Sequence, residues 1–129
     1  MRDLVTRFYS RLWNAWDDTI VNDTLAPDVT FRGSLGDQTT GRDGWRAYRD
    51  QVRNGSPDFH NEVIDLVTTA DRAAARLRCT GTHLGPLLGI PATGNPFSYS
   101  AAAFFTASSG QLTDIWVLGD LDELRSQLR

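Results

Sequence analysis

The hydrophobic spacing of this chain changes once along its length, and that change restricts what it can fold into. In the first part, apolar residues recur three and four apart. Leu4, Val5, Phe8, Tyr9, Leu12, Trp13 and Trp16 make one such stripe, and Trp45, Tyr48 and Val52 make another. That spacing places side chains on one face of a helix. The first stripe predicts an amphipathic helix over 4–16. The second predicts a helix over 42–54 with Gly55 as its stop. From residue 58 the period becomes two. Residues 58–69, 72–84, 97–108 and 111–119 are rich in Val, Ile, Thr, Phe, Tyr and Trp. They read as four strands, with turns at Thr69-Ala70-Asp71 and Ser108-Ser109-Gly110.

Helices first and an antiparallel meander second define an α+β domain, with the helices on one face of the sheet. A curved antiparallel sheet wrapped around N-terminal helices makes a cone with an internal pocket. Smaller elements complete the outline. Asp17-Asp18 is placed to cap a short helix running to Leu25, which Pro27 ends. Val29 and Phe31 alternate with polar neighbours as a short strand. Leu121, Leu124 and Leu128 share one face of a terminal helix. Residues 84–96 interrupt the meander with three Gly and three Pro around Leu87, Leu88 and Ile90. Their apolar side chains need cover, which a packed crossover loop or a lid over the cone mouth would provide.

The 129 residues form one domain, 1–129, with no repeat and no linker. A formal net charge of −3 without a Lys/Arg stripe argues against a nucleic-acid or anionic-membrane partner. Cys79 is the single cysteine, so no intrachain disulfide forms and a cytoplasmic setting is expected. Residues 1–4 lack the apolar core of a signal peptide, and no run approaches membrane-spanning length. No His/Cys/Asp spacing reads as a metal site and no Gly-rich loop as a phosphate cradle.

The stretch Ala74-Ala75-Arg76, Gly81-Thr82-His83, Gly85, Gly89-Ile90-Pro91, Thr93-Gly94, Trp116, Asp120 and Gln127-Leu128 resembles the SnoaL-like polyketide (ester) cyclases. Pro57-Asp58, ahead of the long strand, fits the same pattern, while Ala92 and Ala70 depart from it at positions that touch no chemistry. The resemblance implies the nuclear transport factor 2-like cone. It also implies a cofactor-independent intramolecular aldol closure of an apolar or aromatic polyketide-like substrate. Asp120 is then the acid/base, and His83 a pocket histidine that orients it or donates to a substrate carbonyl.

An aldol closure needs a base for a carbon-bound proton and an acid for the new alkoxide. One carboxyl serves both steps if an apolar pocket raises its pKa. Asp120-Leu121-Asp122-Glu123 also reads as a helix N-cap followed by Glu, which would hold the carboxylate on backbone amides instead. His83 has its own alternative, satisfying loop backbone groups. Trp16, Tyr99 and Trp116 are candidate pocket walls, with His60 and Arg76 as further substrate-binding candidates. Arg76 shares parity with Arg72 and Arg78, which favours an outward position.

Epoxide opening or isomerisation is a second enzyme class on the same cone, with Asp114 as the second carboxylate. A non-catalytic receptor for hydrophobic ligands is a third. The run Ala101-Ala102-Ala103-Phe104-Phe105 is apolar on both faces, so its outer face is expected to pair with a second copy as a homodimer.

Overall fold

A computed structural model describes residues 1–129. Helix α1, Arg2–Arg7, continues into a π-helical stretch, Phe8–Trp13, in which the Asn14 N–H donates to the Tyr9 carbonyl at 2.8 Å. The expected α-helix is therefore wider in its second half. That widening turns Phe8, Tyr9, Leu12 and Trp13 together into the core. Trp16 closes the segment in a left-handed conformation, φ 55°.

Asp17 then caps a turn, its carboxylate accepting from Thr19 N (2.9 Å) and Thr19 Oγ1 (2.6 Å). Helix α2 is confined to Val21–Thr24, and no side chain caps it. Pro27 does not end a helix, because it lies inside strand β1, Leu25–Arg32. The register of β1 shifts between Leu25 and Thr30, so the missing proline N–H is tolerated there. Strand β2, Gln38–Thr40, is a three-residue edge that the periodicity did not announce.

Helix α3, Gly41–Gly55, buries Trp45, Tyr48, Arg49 and Val52 along one stripe. Gly55 sits within its last turn and has no left-handed φ. It is glycine for contact: a Cβ there would lie 2.4 Å from Leu87 Cδ2 and 2.7 Å from the Pro86 carbonyl.

Strands β3 (His60–Thr68), β4 (Arg72–Thr82), β5 (Pro96–Ser108) and β6 (Gln111–Gly119) form the meander, and α4, Leu121–Gln127, ends the chain. The six strands lie in the order β2-β1-β6-β5-β4-β3. All neighbours are antiparallel except β1 and β6. One face of β4 to β6 turns Ala73, Ala75, Leu77, Cys79, Tyr99, Phe105, Ile115 and Val117 inward against α1 and α3. The other face carries Arg76, Phe104, Trp116 and Leu118 to solvent. No helix is long and apolar enough to cross a membrane.

Candidate active site

The concave side of the sheet encloses a small cavity. Phe8, Trp13, Phe31, Phe59, Leu77 and Val117 supply apolar walls, with Tyr9, Ser34, Tyr48, Asn61 and Cys79 between them. The cavity measures about 20 Å³, room for about one water.

A larger chamber of about 390 Å³ lies between α3, the turn Leu35–Asp37 and residues Pro86–Gly89 of the crossover loop. Tyr48 and Val52 line both spaces and so divide them. The Tyr48 hydroxyl accepts from Leu35 N at 3.1 Å, which ties the turn to α3. Gly33 makes that approach possible, since a Cβ there would sit 2.0 Å from Tyr48 Cζ. The outer chamber is thus bounded by two close contacts, Gly33 with Tyr48 and Gly55 with Leu87. We call it the mouth.

The polar groups of the interior are held in place. Asn14 grips the backbone of Asn61 from both sides, donating to its carbonyl and accepting from its N–H, each at 2.8 Å. Cys79 Sγ donates to Asn61 Oδ1 at 3.4 Å. Ser34 Oγ and Tyr99 Oη are hydrogen-bonded at 2.9 Å. Two buried atoms on the cavity wall have no partner: Tyr9 Oη and Asn61 Nδ2.

Burial pushes the phenols of Tyr9 and Tyr99 well above their ordinary range. It pushes the Tyr48 phenol and the Cys79 thiol up to about 12. All four are therefore protonated at neutral pH. No carboxylate lines the interior and no Asp or Glu is buried, while Asp37 is the one carboxylate lining the mouth.

The structure does not bring the expected pair together. Asp120 is exposed, and its carboxylate accepts from Glu123 N at 3.0 Å as the N-cap of α4. His83 is fully buried inside the crossover loop. Its Nε2 donates to the Ile90 carbonyl at 3.0 Å, and its Nδ1 accepts from Thr93 Oγ1 at 2.9 Å. Both geometries match the structural alternatives, and neither side chain lines the interior or the mouth.

Of the remaining candidates, only Tyr99 turns inward. Trp116 is outward because its strand parity is that of the convex face. It packs on Phe104, with Arg32 over its ring at 5.2 Å. Arg76 lies on the same face, exposed, as its parity with Arg72 and Arg78 indicated. His60 is exposed at the start of β3. Trp16 lies outside the cavity, stacked against Arg53 at 5.0 Å. Asp114 is exposed and accepts from Thr30 Oγ1, so a second carboxylate for epoxide opening is absent from the interior.

The residues that do converge were legible only through parity. Asn61 shares parity with the inward Phe59, and Cys79 with the inward Ala75 and Leu77. Tyr9 was hidden among the apolar members of its helical stripe.

A curved sheet, a helical lining and an apolar interior with a few fixed polar groups define a cone of the nuclear transport factor 2-like fold. The match to the SnoaL-like polyketide cyclase family runs over residues 3–128, so the chain belongs to that family. It is similar to TsrD from Streptomyces laurentii, at 29% identity and TM-score 0.85, over 98% of this chain and 92% of that one. It is also similar to IdmH from Streptomyces antibioticus, a candidate polyketide cyclase, at 27% identity and TM-score 0.84, over 98% and 96%. A SnoaL-like polyketide cyclase from Agrobacterium tumefaciens shares the fold at 21% identity and TM-score 0.85, over 99% and 97%. A search of curated proteins gives no match.

Proposed function

We propose that this protein closes a ring in a polyketide-like substrate by cofactor-independent acid/base chemistry, with the substrate reaching from the mouth into the cone. The observation that carries this reading is a pair of adjoining spaces of different character. The interior offers neutral hydrogen-bond donors in apolar walls. The mouth offers one carboxylate, Asp37, beside the Tyr48 ring. Such a division suits an aldol step.

The carboxylate of Asp37 takes a proton from a carbon flanked by two carbonyls. That carbon bonds to the attacked carbonyl carbon deeper in the cone. The resulting alkoxide takes the proton back from the Asp37 carboxylic acid, so the closure consumes and releases nothing. Occupying both spaces requires the Tyr48 ring to move aside. We further propose that two copies pair through the convex face of the sheet.

The test is ring closure on a linear poly-β-keto thioester mimic. Asp37→Asn is expected to lower kcat at least about a hundredfold with the fold intact. Asp120→Asn is expected to stay within about threefold, since an exposed cap touches no substrate. The opposite pattern would transfer the acid/base role to Asp120, as the family resemblance implies. Full activity in both variants would remove carboxylate catalysis altogether.

A further inference from the structure

Two buried donors without partners on one small cavity wall are unusual, because almost every buried polar atom finds a partner. Tyr9 is 3% exposed and Asn61 is 7% exposed, and both line the interior cavity. Each is fixed by something other than the missing bond. Tyr9 is held by edge-on packing of its ring against Phe8 at 5.0 Å and Phe105 at 5.9 Å. Asn61 is held by Asn14 through its backbone and by Cys79 through its own Oδ1. The free atoms are thus presented with their geometry already set, the arrangement that binds developing negative charge on oxygen without reorganisation.

Cys79 links the two. Its sulfur lies on the wall of the same cavity as Tyr9, and it donates to Asn61 Oδ1. The remaining polar atoms nearby are satisfied, with Ser34 bonded to Tyr99 and Tyr48 to Leu35 N. Nothing in the fold uses the last two donors.

We propose that Tyr9 Oη and Asn61 Nδ2 together form a binding site for one acceptor oxygen of the ligand, a ketone or enolate oxygen on an apolar ring or chain. This rests on the reading that the interior receives the substrate, and it adds which atom of the substrate is held. The site selects acceptors. A hydroxyl or ammonium donor brought there would face two more donors, whereas a carbonyl oxygen has two lone pairs to match them. Most of the other wall residues are apolar, so an oxygen-free hydrocarbon that enters once the Tyr48 ring moves aside leaves both donors unpaired.

The experiment is binding, not turnover, so it stands apart from the fate of the cyclase reading. The probes are 1-indanone and indane, the same bicycle with and without the oxygen. Affinities come from ligand-observed NMR, and the indanone carbonyl stretch is read by infrared spectroscopy. The intact protein is expected to prefer 1-indanone by about tenfold or more, with the bound carbonyl stretch moved to lower wavenumber.

Tyr9→Phe and Asn61→Val should each remove most of the preference and part of the infrared shift. Asn61→Val keeps the Asn14 anchor, which uses only backbone atoms. Tyr9→Phe should leave Tm unchanged or raise it by a few degrees, because it deletes an unpaired buried hydroxyl. Equal binding of indane and 1-indanone overturns the proposal. So does an unaltered preference in both variants, and so does failure of the ketone to bind, which would mean that a resident water satisfies the two donors. A marked fall in Tm in Tyr9→Phe also overturns it, since the hydroxyl would then have a structural partner.

Discussion

The two faces of strands β4 to β6 are built from the same alternating chain and do opposite things. The concave face presents small and apolar side chains, Ala73, Ala75, Leu77, Ala101 and Ala103, interrupted by Cys79, Tyr99 and Phe105. The small residues leave space that α1 and α3 almost fill. The convex face presents Arg76, Arg78, Phe104, Trp116 and Leu118, larger and chemically more conspicuous. On these strands the larger charged and aromatic side chains mark the surface, and the cavity donors without partners belong to Tyr9 and Asn61 at inward positions. A residue's face, set by parity, decides its role before its chemistry does.

Phe104 and Phe105 put that contrast into adjacent positions, 50% and 1% exposed. Phe105→Ala empties a site packed against Phe8 and Tyr9. It should lower unfolding free energy by about 3–5 kcal/mol in urea denaturation. Phe104→Ala, which removes a half-exposed ring packed on Trp116, should stay within about 1 kcal/mol. Its effect is expected in light scattering instead. If the convex face joins two copies, Phe104→Ala combined with Trp116→Ala shifts the molecular mass from dimer toward monomer. A monomer in the unmodified protein would confine the contrast to stability alone.

The periphery and the interior also set different pH limits. At the periphery, hydrogen bonds from Thr19, with Arg11 adding to them, lower Asp17 to about 2. Asp18 is lowered mainly by its hydrogen bond from Arg49. Burial would raise Asp58, but hydrogen bonds from Thr82 and Ser56 outweigh it and lower it. A depressed carboxylate contributes stability above its unfolded pKa, near about 3.9. That contribution disappears as pH falls through the folded value, so the acid limb should run from about pH 4 toward 2.

The interior governs the other end. Burial raises Cys79 from 9.0 to about 12 and Tyr48 from 10.0 to about 12. A raised thiol or phenol leaves stability intact below its unfolded pKa and erodes it as pH climbs toward the folded value. Alkaline unfolding, followed by circular dichroism, should therefore begin near pH 9, and in Cys79→Ala it should begin higher. Asp17→Asn should alter only the acid limb. An alkaline limb that ignores Cys79→Ala would show that the interior is wetter than its packing implies.

Most of the fold was legible because period and parity survive folding. The switch from helical to two-residue spacing marked the strands and helices that the cone uses, and β4 parity separated Arg76 from Ala75 and Leu77. What escaped was set by contacts distant in sequence. Pro27 entered a strand because β1 shifts register beside β6. The second half of the first helix widened to turn Tyr9 inward. Gly55 answers to Leu87, thirty-two positions away, not to its own backbone. The site was less legible for the same reason. Asn61 and Tyr9 become notable only when their donors are seen to lack partners, whereas Asp120 and His83 stood out as residue types and proved to be well satisfied.

His83 tests this on the loop. Its ring bridges Ile90 and Thr93, and its backbone N–H donates to the Asn95 carbonyl at 2.9 Å. His83→Ala leaves the side-chain partners unmet within a packed turn, and should cost about 1–3 kcal/mol. The loss should appear as faster hydrogen exchange confined to 84–96. A large loss of turnover with unchanged exchange would instead return His83 to the chemistry.

The smallest effect belongs to Asp120, on the rim between the two faces. Its carboxylate satisfies one of the free N–H groups at the start of α4, and the helix is anchored independently by buried Leu124 and Leu128. Gln127 adds a second tie, its side chain accepting from Ser98 N at 2.8 Å. Asp120→Ala should therefore lose about 1 kcal/mol. Asp120→Asn should lose only a few tenths, because asparagine caps as well as aspartate does. A carboxylate held in an apolar pocket at a cost would behave the other way, and its removal would stabilise the fold. The sign of the Asp120→Ala change in thermal unfolding thus separates a cap from an acid/base group without any substrate in hand.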